Sequence, residues 1–198
     1  VLHLDHGASY EQVIQCLRNG FTSVMIDGSR LPLKENIRVT KEVTRAAHTV
    51  GVSVEAELGA IGGTEDGMTA KANLVNVDDA RCFLEEVTVE ALAIGIGNAH
   101  GIYKSTPNLA FDRLEQVAAL GGPALVLHGG SGIPDDMIRK AIVMGIRKIN
   151  VATEVRLAFL EGFGLEVNSK DIYKAYQSAQ AHARKIISDK MSLFDTTK

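Results

Sequence analysis

The chain has 198 residues, 45% of them hydrophobic, which suits one domain with a sizeable core. Lys and Arg number 21 against 24 Asp and Glu, a formal net charge of -3, so no basic surplus argues for nucleic acid or for an anionic membrane. No apolar run is long enough to span a bilayer, no signal-peptide pattern opens the chain, and Cys16 and Cys82 stand far apart outside any metal spacing. The expected setting is cytoplasmic, and the expected partner a small soluble ligand.

In chain order, short apolar or β-branched runs predict strands over 1–5, 23–27, 53–58, 91–97, 124–128 and 147–151. Helical spacing predicts helices over 10–19, 35–50, 78–87, 111–120, 134–144, 153–163 and 171–190, with Gly20, Gly51, Gly121 and Gly145 marking helix ends. Strict alternation of strand and helix gives parallel βαβ units covered on both faces, an α/β class. Two parallel architectures compete here, an open doubly wound sheet and a closed barrel. Almost every predicted strand ends in a polar or glycine-rich cluster, at 5–7, 27–30, 57–63, 98–101, 128–132 and 150–154. A barrel gathers all its strand ends at one mouth, whereas an open sheet favours one switch point, so a (β/α)8 TIM barrel is expected. Six units are two short of closure, and Val1 opens the chain in mid-strand without a methionine. The expectation is therefore a single barrel domain over 1–198 whose first βα units, about two, precede it.

Three histidines, His6, His100 and His128, sit at predicted strand ends, each followed by glycine. Three imidazoles from three strands match the protein ligands of a catalytic zinc with one position left for substrate, although each alone is more often a hydrogen-bonded structural histidine. Neighbours on a regular strand point in opposite directions, so for His6 to join Asp5 at the mouth the chain has to turn after Asp5, which Gly7 permits. His3, one step earlier on the Asp5 side, is expected in the core or behind the site. Glu57, at a strand end, is placed to hydrogen-bond a ligand histidine or to stand near the metal; a salt bridge lining the mouth is the plainer reading.

His128-Gly129-Gly130-Ser131-Gly132 is a glycine-rich turn opening a helix, where unobstructed N–H groups suit an anion. Asn150-Val151-Ala152-Thr153 again leads a strand into a helix, with Thr153 near the capping position. Side by side, these loops would cradle a phosphate; separately, each is a tight βα turn. Residues 62–67, "GGTEDG", surround Glu65 and Asp66 with glycines, as suits a mobile lid carrying a general base or an ordinary exposed loop.

"HLDHG", "MIDGS", "VEAELGAIGG", "GNAHG", "LHGGSG" and "INVATE", in this order over nearly the whole chain, resemble the class II, zinc-dependent ketose-bisphosphate aldolases, which include fructose- and tagatose-1,6-bisphosphate aldolases. The resemblance implies a (β/α)8 barrel with a divalent cation, usually Zn2+, on His6, His100 and His128. It implies that Asp5 exchanges a proton with the C4 hydroxyl as the C3–C4 bond breaks or forms, and that Glu65 moves the C3 proton of dihydroxyacetone phosphate. It implies phosphate and triose contacts at Gly101, Gly129, Ser131, Asn150 and Thr153 with Na+ or K+ nearby, a phosphorylated sugar substrate, and a homo-oligomer, dimer or tetramer. Zinc would polarise the C2 carbonyl and stabilise an enediolate. Arg30 stands where many relatives have histidine, and 69–76 and 162–169 look several residues short. "NVATE" and "NAHGIY" look closer to the tagatose-type branch. Competing readings are a zinc hydrolase on the same barrel, a Schiff-base aldolase through Lys148, which shares strand parity with Asn150, and a non-catalytic sugar-phosphate binding protein.

Overall fold

A computed structural model describes residues 1–65, 68–70 and 73–195. Six strands, β1 (His3–Gly7), β2 (Ser23–Ile26), β3 (Ser53–Leu58), β6 (Ala91–Ile94), β8 (Ala124–Leu127) and β9 (Ile146–Ile149), pair in parallel in the order β1-β2-β3-β6-β8-β9. Between them run α1 (Tyr10–Arg18), α2 (Leu33–Thr49), α3 (Val77–Glu86), α4 (Phe111–Ala118) and α5 (Asp135–Val143), and α6 (Thr153–Glu166) and α7 (Ile172–Phe194) pack as a hairpin after the last strand. The sheet curls until its two edges face each other: Asn150, just past β9, places its Nδ2 3.2 Å from each carboxylate oxygen of Asp5 on β1.

Beyond shifts of a few residues at element ends, three differences from expectation bear on the site. The first strand is His3–Gly7 rather than 1–5, for a reason that lies in the site. The strand predicted over 91–97 stops at Ile94, because the chain leaves the sheet through Gly95 and Gly97, the latter at φ +96°. A second, three-stranded sheet, β5-β4-β7, is built from β4 (Gly62–Glu65), β5 (Met68–Ala70) and β7 (Ala99–His100).

Alternation along the six strands sorts the side chains into two populations. One set, including Leu4, Val24, Ile26, Val54, Leu92, Ile94, Leu125 and Leu127, packs against Val13, Val43, Phe83, Leu114 and Ile138 of the helices and forms the main core. Each such buried side chain contributes on the order of 1.5–3 kcal/mol. The other set faces the concave interior, where Met25, Ala93 and Val126 form a small separate cluster. Among the described residues, no helix is long and apolar enough to cross a membrane.

Candidate active site

The site begins with an irregularity in β1. Leu4 pairs with Val24 and Gly7 with Ile26, so Asp5 and His6 together oppose the single residue Met25. This is a bulge: it inserts one residue, re-aims the side chains that follow, and lets two neighbours reach the mouth. His6 takes the strain with φ +46°, in the left-handed region that only glycine enters freely. The turn expected after Asp5 is thus made by His6 itself. Gly7 serves another end, since a Cβ there would lie 2.3 Å from the Met25 carbonyl oxygen.

His128 follows β8 directly and is fully buried. His100 is not at the end of a main-sheet strand, as its spacing predicts, but on β7, where it pairs with Gly63. Asn98 braces that excursion by accepting from the Ile96 N–H at 2.8 Å and donating to the His128 carbonyl at 2.9 Å.

The three histidines converge: one ring nitrogen from each lies within 4.8 Å of the others. His6 Nε2 is 2.9 Å from His128 Nδ1. The remaining nitrogens of these two rings meet carboxylates, His6 Nδ1 with Asp27 Oδ2 at 3.0 Å and His128 Nε2 with Glu55 Oε1 at 2.8 Å. Glu55 Oε2 in turn accepts from Lys148 Nζ at 2.8 Å. A carboxylate behind each ring draws the proton to that side and turns the other lone pair inward. The donor set therefore fits a divalent cation. A second group, His6, Asp27 and Glu57, also brings its ligand atoms within 4.8 Å of one another.

The electrostatics follow from burial and charge. Burial disfavours charge on His6, but the hydrogen bond to Asp27 and the nearby Glu57 and Asp5 outweigh it and raise its pKa to about 9. Asp27 and Glu55 are desolvated too, yet the hydrogen bond from His6 to Asp27 and the bonds from His128 and Lys148 to Glu55 bring each down to about 2. His128 is lowered, chiefly by burial. Glu57 does not line the mouth: it is 1% exposed, behind His6 with Oε2 3.7 Å from Nδ1. Its burial, and then the charge of Asp27, raise it to about 8.

Gly101, Gly129, Ser131, Asn150, Val151, Ala152 and Thr153 line one cleft of about 410 Å³ together with Asp5 and His100. Gly130 does not belong with them. Its N–H is already donated to the Asn150 carbonyl at 2.9 Å, and a Cβ would lie 2.6 Å from Ile149 Cγ2, so this glycine joins the two loops rather than offering a free donor. The Glu65 backbone closes β4 opposite Met68. The Glu65 side chain, like the whole of Asp66, lies outside the described residues. His3, expected in the core or behind the site, lines the same cleft beside Asp5, its Nδ1 2.8 Å from Ser23 Oγ. Arg30 is exposed. Two residues of the histidine network, Asp27 and Glu55, escape the sequence reading, although Glu55 and Glu57 on one parallel strand share the concave face by alternation.

The model of the family described as fructose-bisphosphate aldolase class-II matches residues 1–198. The chain belongs to that family. Among its relatives, the fructose-bisphosphate aldolase of Streptococcus pyogenes serotype M3 is 45% identical over the whole chain. The 6-phospho-5-dehydro-2-deoxy-D-gluconate aldolase of Bacillus subtilis is 47% identical over 81% of this chain and 56% of its own length. The chain spans 64% of the length of the streptococcal relative. Among solved structures, the YdjI aldolase of Escherichia coli K12 superposes with a TM-score of 0.86 at 34% identity, over 98% of this chain and 69% of that one. The curled six-stranded sheet is thus the fold of the class II aldolases, of the TIM-barrel type.

Proposed function

We propose that the protein containing this chain is a lyase that reversibly cleaves a ketose 1,6-bisphosphate into dihydroxyacetone phosphate and glyceraldehyde 3-phosphate. The observation that carries this reading is the meeting of three imidazoles, two of them with carboxylates behind, beside Asp5 and the glycine-rich cleft. His6, His100 and His128 would hold the divalent cation, Zn2+ in our reading. When bound, it supplies a Lewis acid for the ketose carbonyl. Asp5, outside that cluster and held by Asn150, takes the proton of the C4 hydroxyl in cleavage and returns it in condensation. Glu65 moves the proton at C3. The backbone N–H groups of Gly101, Gly129 and Ser131 and of 151–153, with the Ser131 hydroxyl, bind phosphate at the mouth of α6, where the helix N-terminus favours an anion; the Asn150 N–H is already donated to the Leu127 carbonyl at 3.0 Å. Na+ or K+ beside that phosphate, a homo-oligomeric state and a cytoplasmic setting belong to the same reading.

Lys148 as a Schiff-base nucleophile fits poorly, since its ammonium is engaged by Glu55 rather than freed in an apolar pocket. Fructose and tagatose bisphosphates differ in configuration at C4, beside Asp5, and the tagatose-type motifs favour the latter by a small margin. The test is turnover of both sugars by the full-length protein with and without a chelator. Cleavage abolished by chelation and restored by Zn2+ is expected. Chelator-resistant cleavage with borohydride trapping, or binding without turnover, would overturn the reading.

A further inference from the structure

The interior of a parallel barrel is ordinarily filled by branched apolar side chains, and Met25, Ala93 and Val126 begin such a layer here. Glu55 breaks it. The residue is 2% exposed, with one carboxylate oxygen 2.8 Å from His128 Nε2 and the other 2.8 Å from Lys148 Nζ. Lys148 keeps 37% of its side chain exposed at the cleft, but a carboxylate buried as deeply as Glu55 loses in desolvation much of what it gains by attraction, so stability alone gives no reason to keep one where apolar side chains would pack. The third partner gives the reason. Glu55 Oε1 accepts the Nε2 proton of His128, which leaves the lone pair on Nδ1, the nitrogen that faces His6.

That bond needs a tether. His3 Nε2 lies 3.7 Å from Glu55 Oε2 and offers a competing partner toward which the carboxylate can swing. Lys148 reaches Oε2 from β9, which is not adjacent to β3 in the sheet, so the pair spans the concave interior. We propose that Lys148 is a positioning residue: by holding Glu55 Oε2 across the interior it keeps Oε1 on His128, and so fixes the tautomer and ring orientation with which His128 offers Nδ1 to the cation. The proposal rests on the metal reading above.

The test uses the full-length protein loaded with Co2+, whose visible absorption reports ligand set and geometry independently of turnover. Lys148→Met is expected to raise the Kd for Co2+ about 10–100-fold and to alter the bands, the range found when a partner behind a metal ligand is lost. Lys148→Arg, which keeps a cation within reach of Oε2, should recover most of both. The double variant Glu55→Gln/Lys148→Met removes both charges of the pair and guards against a single variant that fails to fold; it should keep the wild-type circular dichroism and show the same weakened binding. Wild-type affinity and bands in Lys148→Met or in the double variant, where His128→Ala has lost them, overturn this inference alone. A Co2+ spectrum that survives His128→Ala overturns the metal reading, and the inference with it.

Discussion

His6 Nε2 and His128 Nδ1 face each other at 2.9 Å while the opposite nitrogen of each ring is engaged by a carboxylate. Two lone pairs do not rest at that separation, so a cation belongs between them, either a proton or a metal. Without metal it is a proton, carried by His6, whose pKa is raised to about 9. Metal has to displace it. Affinity of the full-length protein for Zn2+ should therefore rise about tenfold per pH unit below pH 9 and level off above it, read by chelator competition across a pH series. A flat profile would mean that no proton is displaced. For the metal-free fold the sign is opposite. The His6 contribution is full below its ordinary value of 6.5 and lost as pH rises to about 9, and Glu57, raised from 4.5 to about 8, acts in the same direction. Metal-free protein should lose urea resistance over that range, and the loaded protein should not.

Backbone strain at His6 gives a prediction that separates ligand from scaffold. At φ +46° any L side chain carries a cost of about 1–2 kcal/mol that glycine avoids. His6→Gly and His6→Ala should both lose metal and activity. In metal-free denaturation, however, the glycine variant should be the more stable by about 1 kcal/mol. Equal stabilities would mean that the bulge relaxes when the imidazole is removed.

Asn150 donates toward both oxygens of Asp5 at 3.2 Å, and Asp5 stands outside the histidine group. Asp5→Asn should thus keep its metal and still exchange the C3 proton of dihydroxyacetone phosphate, while cleavage falls about 10²–10⁴-fold, the usual loss for a missing general base. Asn150→Ala should cost less, about tenfold, the value of one orienting hydrogen bond. Metal analysis with isotope exchange checks both. If Asp5→Asn is metal-free, or loses exchange and cleavage together, the carboxylate works on the metal instead.

What the sequence made legible follows from periodicity. Parallel strands and their helices are long enough to show alternation, and three His-Gly pairs at separate strand ends foretell one meeting point. The first strand is misplaced because a bulge hides its end: counting by two through Asp5 and His6 puts one of them on the wrong face, and only the register against Met25 reveals that both reach the mouth. β4, made of Gly62, Gly63, Thr64 and Glu65, has no apolar side chain to mark a period, and β5 and β7, with three and two residues, are too short to show one. Glu55 was visible in principle, two positions before Glu57, yet a carboxylate inside a barrel strand reads as an error of register until Lys148 appears opposite it.

The last prediction concerns Gly129, where the phosphate loop touches the metal cluster. Its φ of +63° already excludes an easy substitution, and a Cβ would lie 2.2 Å from the Ala99 carbonyl oxygen. Ala99 belongs to β7, whose next residue is His100, and on the far side Gly63 leaves only 2.1 Å between its own absent Cβ and the His100 carbonyl. The short strand that carries one imidazole is thus held between two glycines, and backbone, unlike a side-chain tip, cannot swing aside. Gly129→Ala should therefore push β7 and weaken two properties at once, raising the KM for substrate and the Kd for metal, each by about tenfold or more for a displacement on the order of 1 Å. Ser131→Ala is the control, removing a hydroxyl from the same loop without crowding β7, and should raise KM while leaving the metal Kd unchanged. If Gly129→Ala alters KM alone, the phosphate loop and His100 are mechanically independent.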